Sequence, residues 1–421
     1  MFKFLLNGIV RDRSRFLFPI IIIATGVTIT VLAYCWLIGI GDKMIDDNAN
    51  FDTGHMKIVT KAYKEMISEK PFDLGLIGTD ELMQRINNEF PDVSWEQRIY
   101  FGGLLDLPDK NGITKSQGQV YCMAIDLFED TKEVERMNIS RSLVRGRIPN
   151  KSEELVISDQ VANKMKVDLN DKVTIITSTM FGSMAMKNFT VVGTVTFGLT
   201  ALDKGAVVLD IHDAQSLLDM ENAAGEILGF FKDGKYNAER VMEMKKQFNN
   251  PKTTDEFAPT MLDLQDQNDL GFMMAMMDER LGMILFVFIF IMSLVLWNSG
   301  LIGGIRRYGE IGVRLAIGES KGHVYRSMII ESIIIGFAGS VIGTIVGVAL
   351  SYYLQYNGID ISSMMENISM LMNTTMRAKV TGTSFIIGFI PGFCASVIGS
   401  CFAGIGIYKR NTAQLFKELE T

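Results

Sequence analysis

Residues 305–347 read IRRYGEIGVRLAIGESKGHVYRSMIIESIIIGFAGSVIGTIVG. A charged segment of about twenty residues, punctuated by glycine, sits between two long apolar runs, and that is the pattern of a short linker between membrane-spanning helices. Arg306, Arg307, Glu310, Arg314, Lys321 and Arg326 then lie where lipid ends and cytosol begins, because short cytoplasmic loops retain Lys and Arg. Glu310 and Arg314 are four apart and share a helix face, while Ile311, Leu315, Gly312 and Ala316 line another side. The result is an amphipathic connector with something to dock against.

Working outward, four runs are almost free of charge: Phe16–Gly41, Leu281–Ile305, Ser327–Leu354 and Thr381–Ile407. Each exceeds the roughly 20 helical residues that cross a bilayer core of about 30 Å. Soluble helices rarely stay apolar on every face for so long. The first run is too long for a secretory signal and is followed by no small-residue cleavage site, so it reads as an uncleaved anchor. Ahead of it, Phe2, Leu5, Leu6 and Ile9 share one helical face, as in an interfacial helix over residues 1–15, although a plain flanking tail fits too.

Charge gives the orientation. Lys3, Arg11, Arg13 and Arg15 precede the first run, and Lys409 and Arg410 follow the last. With the basic loop at 306–326, both termini and that loop fall on the cytoplasmic side, and residues 42–280 and 355–380 fall outside. The chain carries 41 Lys and Arg against 48 Asp and Glu, with 27 of the former and 40 of the latter in residues 42–280. So acidic a domain is not a nucleic-acid binder.

The fold class read from these patterns is an integral membrane α-helical protein with four transmembrane helices and a large extracytoplasmic mixed α/β domain inserted between helices 1 and 2. Within 42–280, strands are expected at 54–60, 93–107, 119–127 and 225–232, helices at 79–90 and 238–248, and a last extended piece near 253–258. Asp109-Lys110-Asn111-Gly112 is a turn. These elements make two βαβ-like halves around a β-rich insertion at about 140–220. Only Cys122 of the four cysteines falls in this domain, so it has no internal disulfide and relies on a hydrophobic core.

Three further features bear on function. The chain has 27 methionines, and Met273, Met274, Met276 and Met277 crowd the approach to the second apolar run. Flexible thioethers suit a surface for acyl chains, a cargo surface, and equally a stalk that packs on its neighbour in a dimer. Gly339, Gly343 and Gly347 recur every fourth residue and leave one helix face nearly bare for close helix packing. No GxxxxGK[ST] occurs and none of the three histidines belongs to an HExxH motif, so neither a P-loop ATPase nor a zinc peptidase is written in the chain. Buried ionisable groups of the kind an ion-driven carrier needs are scarce in the apolar runs.

The run EIGVRLAIG from Glu310 to Gly318, followed by an apolar helix with Glu331 near its start, resembles the cytoplasmic loop of the FtsX-like permease family, which includes MacB-type exporters and LolC/LolE-type lipoprotein-releasing subunits. Arg145-Gly146-Arg147, then Glu154-Leu155-Val156-Ile157-Ser158, then Asn170-Asp171-Lys172-Val173 is similar to the middle of the MacB-type outer domain, with Asn170 where that pattern has glycine. GHMKIV at the start of the domain resembles LolC/LolE, and KRNTAQLFKEL at the tail is similar to the family's ending, with Thr412 in place of proline.

The resemblance implies a non-enzymatic permease subunit in the bacterial inner membrane, holding no cofactor or metal of its own. ATP would be bound by a separate cytoplasmic ABC ATPase that rests on the 306–326 loop, with Arg307, Glu310, Ile311, Gly312, Arg314, Ala316 and Gly318 as coupling residues. A second permease subunit, identical or homologous, completes the dimer. Lipoprotein release is the favoured activity, with lipoprotein cargo and a periplasmic carrier as further partners. MacB-type efflux of peptides or drugs and FtsX-like control of a cell-wall hydrolase are the alternatives.

Overall fold

The computed structural model describes residues 13–109, 112–128, 132–198, 200–249, 254–267, 270–305, 308–360 and 375–409. The interfacial helix expected over 1–15 and the tail after 408 lie almost wholly outside them. The chain divides into a helical unit, Met1–Lys43, Met276–Ile359 and Thr375–Thr421, and an α/β unit, Met44–Ala275 with Asp360–Thr374.

The first helix, α1, runs Arg13–Asn48 and closes in a π-turn over Ala49–Thr53. Beyond it the α/β unit is built on one sheet. Its strands are β1 Met56–Thr60, β3 Val93–Pro108, β4 Thr114–Ile125, β5 Leu143–Gly146, β6 Glu154–Ser158, β7 Lys172–Ser178, β8 Met184–Val195, β9 Ala206–Asp210, β11 Glu226–Phe231 and β12 Pro259–Asp263. A separate short pair joins β2, Leu76–Ile77, to β10, Ala223–Ala224. The large sheet runs β12-β1-β11-β3-β4-β9-β6-β8-β5, with β7 bridging β3 and β8. Several strands, MKIVT, EILGFF and AVVLD among them, are buried along their whole length, so both faces of the sheet are covered there.

The two βαβ-like halves interlock instead of standing side by side. Strand β11 is antiparallel to both β1 and β3, and β1 is antiparallel to both β11 and β12. Helix α2, Thr79–Glu89, links β1 to β3 and helix α3, Ala238–Phe248, links β11 to β12. Both lie on one face, where Ile86, Phe90, Val241, Met244 and Phe248 close over Met56, Ile58, Trp95, Ile227 and Met261. Gly229 is required there, since a Cβ would stand 2.6 Å from the Trp95 ring.

Two boundaries differ from the sequence reading. The last strand is Pro259–Asp263 and not 253–258, because Asn249 clamps Met261, its amide donating to the Met261 carbonyl at 2.9 Å and its Oδ1 accepting the Met261 N–H at 2.8 Å. Strand β4 begins at Thr114, which makes β3–β4 a long hairpin whose first residues project into solvent. The insertion contains strands of seven and twelve residues, β7 and β8. The turn before β7 has Asn170 at φ 70°, the left-handed conformation that asparagine tolerates.

The helical unit continues with α4 Leu270–Ile305, α5 Tyr308–Ala316, α6 Lys321–Asn357 and α7 Phe389–Lys409. Among the described residues, four helices are long and apolar enough to cross a membrane: Leu17–Thr53, Leu270–Asn298, Lys321–Asn357 and Ser384–Ile405. A short helical turn, Ser384–Ile387, is separated from α7 by a break at Gly388, since Pro391 has no N–H for the Ile387 carbonyl. The glycines at every fourth residue of α6 lie on α1. A Cβ at Gly343 would come 2.5 Å from the Ala24 carbonyl, and one at Gly339 2.8 Å from the Ile23 Cβ. Thr28 Oγ1 donates to the Gly343 carbonyl at 3.1 Å across this contact.

Two predictions follow from packing. Gly343→Leu should destabilise the protein in detergent by about 1–3 kcal/mol, the usual cost of overpacking. Gly282→Leu, where a Cβ meets open space, should leave its melting temperature unchanged. In the α/β unit, His55 is only 4% exposed, and its Nδ1 accepts the Phe231 N–H at 3.0 Å. Burial pulls its pKa down from 6.5 to about 4, with Asp233 opposing and Arg136 adding to the effect. The unfolded chain therefore takes up the proton first, and stability complete above pH 6.5 falls as pH drops through 4, by about 3 kcal/mol in all. His55→Gln, which retains an acceptor, should flatten that acid slope in thermal melts.

Candidate functional site

The connecting segment after α4 is where sequence placed the chemistry. Helix α5 turns its Ile311 and Leu315 inward against Val324 and Met328 of α6, so these side chains are committed to their own chain. Gly312 is buried on the same side. The opposite face carries Val313, 40% exposed, with Ala316 and Ile317, 83% exposed. Those positions are three and four apart, one stripe of a helix. Ala316 is exposed although Gly312, one turn before it, is buried.

The angle of the turn is held by charge. Gly318 takes φ 97°, reversing the chain between α5 and α6. Arg314 then grips Glu319 with two parallel bonds, Nε to Oε2 and Nη2 to Oε1, each 2.6 Å. That hydrogen-bonded pairing lowers the Glu319 pKa. His323 Nε2 stands 3.5 Å from the same carboxylate. A bidentate arginine pair fixes geometry as well as charge, so the exposed stripe is presented in one orientation. Arg307 lies outside the described residues, as do the side-chain surroundings of Glu310.

A second group of polar residues was not singled out from sequence. In the α/β unit, Lys57 Nζ meets Glu226 Oε2 at 2.8 Å, and Tyr63 donates to the same oxygen at 3.1 Å. Burial lowers the Lys57 pKa, with Glu226 opposing it. Lys70 pairs with Asp52 and lies 3.6 Å from the centre of the Tyr100 ring. Arg98 and Glu133 form a fully buried pair at 2.7 Å, and Arg136 bridges Glu133 and Glu96. Strand periodicity alone marks none of these, because a charged residue inside a strand reads as solvent-facing until its partner is known.

The remaining candidates separate. Met273 is exposed, while Met274 packs with Ile45, Ala49, Leu264 and Leu270. Met276 and Met277 are half-buried. Gly339, Gly343 and Gly347 belong to the α1–α6 contact. Among the described residues no three His, Cys, Asp or Glu side chains come together as a metal site would need.

Long apolar helices joined by a short, charge-braced connector define a membrane-embedded helical unit, and the same chain carries an α/β unit. Residues 282–412 match the family described as FtsX-like permease C-terminal. That part of the chain is therefore similar to the C-terminal portion of FtsX-like permeases. The chain is 23% identical over 206 residues to the lipoprotein-releasing system transmembrane protein LolC of Xylella fastidiosa, covering 48% of each chain. Against LolC of Haemophilus influenzae it is 22% identical over 280 residues, 65% of this chain and 66% of that one. The chain thus spans about half to two thirds of the length of these relatives. Among solved structures, the periplasmic region of MacB from Actinobacillus actinomycetemcomitans aligns with a TM-score of 0.37 and 9% identity, covering 53% of this chain and 94% of that one.

Proposed function

We propose that this chain is a permease subunit, a lever driven by a separate ABC ATPase, which docks on the exposed face of α5 from the cytosol. The α/β unit works on cargo at the outer surface of the bacterial inner membrane. The observation that carries this reading is the stripe Val313, Ala316 and Ile317, apolar and held outward by the Arg314–Glu319 pair. An isoleucine so exposed beside a charged turn is a natural anchor for an apolar pocket.

The cargo favoured is a lipidated protein, handled by two permease subunits together and passed to a periplasmic carrier. Support comes from the relatives named as lipoprotein-releasing proteins and from the exposed methionines Met184, Met186 and Met273, whose flexible thioethers can adapt to acyl chains.

The test is recovery of the ATPase with the affinity-purified permease from membranes, identified by mass spectrometry. Ile317→Asp should reduce recovery roughly thirty-fold, the loss of one interface anchor. Ile113→Asp, on an exposed tip of the α/β unit, should leave it intact. A wild type that brings down no ABC ATPase, or an Ile317→Asp protein that recovers it fully, would refute the reading.

A further inference from the structure

The α/β unit contains the C-terminal end of α1, and that end is finished in an unusual way. A helix leaves its last carbonyls without partners, and buried carbonyls must find some. Here the π-turn over Ala49–Thr53 closes with the Gly54 N–H on the Ala49 carbonyl at 2.8 Å. Three further carbonyls are taken by side chains from elsewhere in the unit. Arg98, in the middle of β3, donates Nη1 to the Phe51 carbonyl at 2.6 Å and Nη2 to the Asn50 carbonyl at 2.9 Å. Gln267, just ahead of α4, donates to the Thr53 carbonyl at 3.2 Å.

Arg98 is itself fixed. It is fully buried; Nε donates to Glu133 Oε2 at 2.7 Å, Nη2 to Glu133 Oε1 at 3.2 Å and Nη1 to the Tyr100 hydroxyl at 3.3 Å. All five guanidinium hydrogens are therefore used. The cation also complements the negative end of the helix dipole. Glu133 is held in turn by Arg136, whose guanidinium lies 4.0 Å from the centre of the Phe230 ring.

We propose that Arg98 is a positioning residue that fixes the last turns of α1, residues 44–54, on β3 within the same unit. A helix end capped by its own next residue can shift freely against a neighbouring strand. One capped from β3 can shift only by breaking charged hydrogen bonds in a dry site, and Gln267 ties the lead-in to α4 to the same point. Lysine cannot replace this arginine, because a single ammonium does not present two parallel donors to the carboxylate while reaching two carbonyls. This joint between helix end and strand does not rest on the permease reading.

The test is hydrogen exchange, followed by mass spectrometry, on the full chain in detergent or nanodiscs. In Arg98→Lys, peptides covering 44–54 should exchange roughly ten-fold faster or more, as expected from losing a charged hydrogen bond. Peptides from β4 and β9 should keep their wild-type protection. Gln267→Ala, a milder change, should accelerate the same 44–54 peptides by a smaller factor, and it serves if Arg98→Lys does not fold. Unchanged exchange at 44–54 in both variants, or equal acceleration throughout the sheet, would overturn the proposal, the latter by showing a general structural role. ATPase recovery is unaffected by either outcome, so failure of the joint and failure of the permease reading leave different signatures.

Discussion

The carbonyls of Asn50 and Phe51 need donors, and the Arg98 guanidinium supplies them from the middle of a sheet. Much of the α/β unit follows from that requirement. A buried cation demands a buried anion, which is Glu133, and the segment carrying Glu133 must therefore lie across this face of the sheet. Removing one member of such a pair would leave a charge stranded in low dielectric. Its cost is tolerable where it specifies a geometry that apolar packing would leave loose, here the placement of a helix end on β3.

The helical unit meets its own constraint through absence of side chains. Gly339, Gly343 and Gly347 let α6 approach the α1 backbone to distances at which any Cβ would collide. Close approach of this sort gives van der Waals contact where no hydrophobic effect acts between helices. The connector α5 then folds back on α6 through Ile311, leaving its outer face free.

Sequence conveyed these parts unequally. The apolar helices and the strands MKIVT and ELVIS were legible because period and run length are local properties. Strand order was not, since the interlocking of β1 and β11 depends on pairings about 170 residues apart, a separation set by the insertion. The last strand of the large sheet was misplaced because the Asn249 clamp on Met261 is a tertiary choice. In the connector, the helix was legible from EIGVRLAIG but its facing was not. Ile311 and Ile317 look alike in sequence, yet one is buried and the other exposed, and only the Arg314–Glu319 turn decides between them. Arg98, Glu133 and Gln267 gave no sign, for each is an ordinary polar residue until its partner is placed.

The proposed function requires α5 to face the cytosol and the α/β unit to face the other side of the membrane. Single cysteines at Ile113 and Ile317, two exposed positions, test this in a background where Cys35, Cys122, Cys394 and Cys401 are replaced. With a membrane-impermeant maleimide on intact spheroplasts, Ile113→Cys should label at once and Ile317→Cys only after permeabilisation. Labelling of both from the same side would contradict the account.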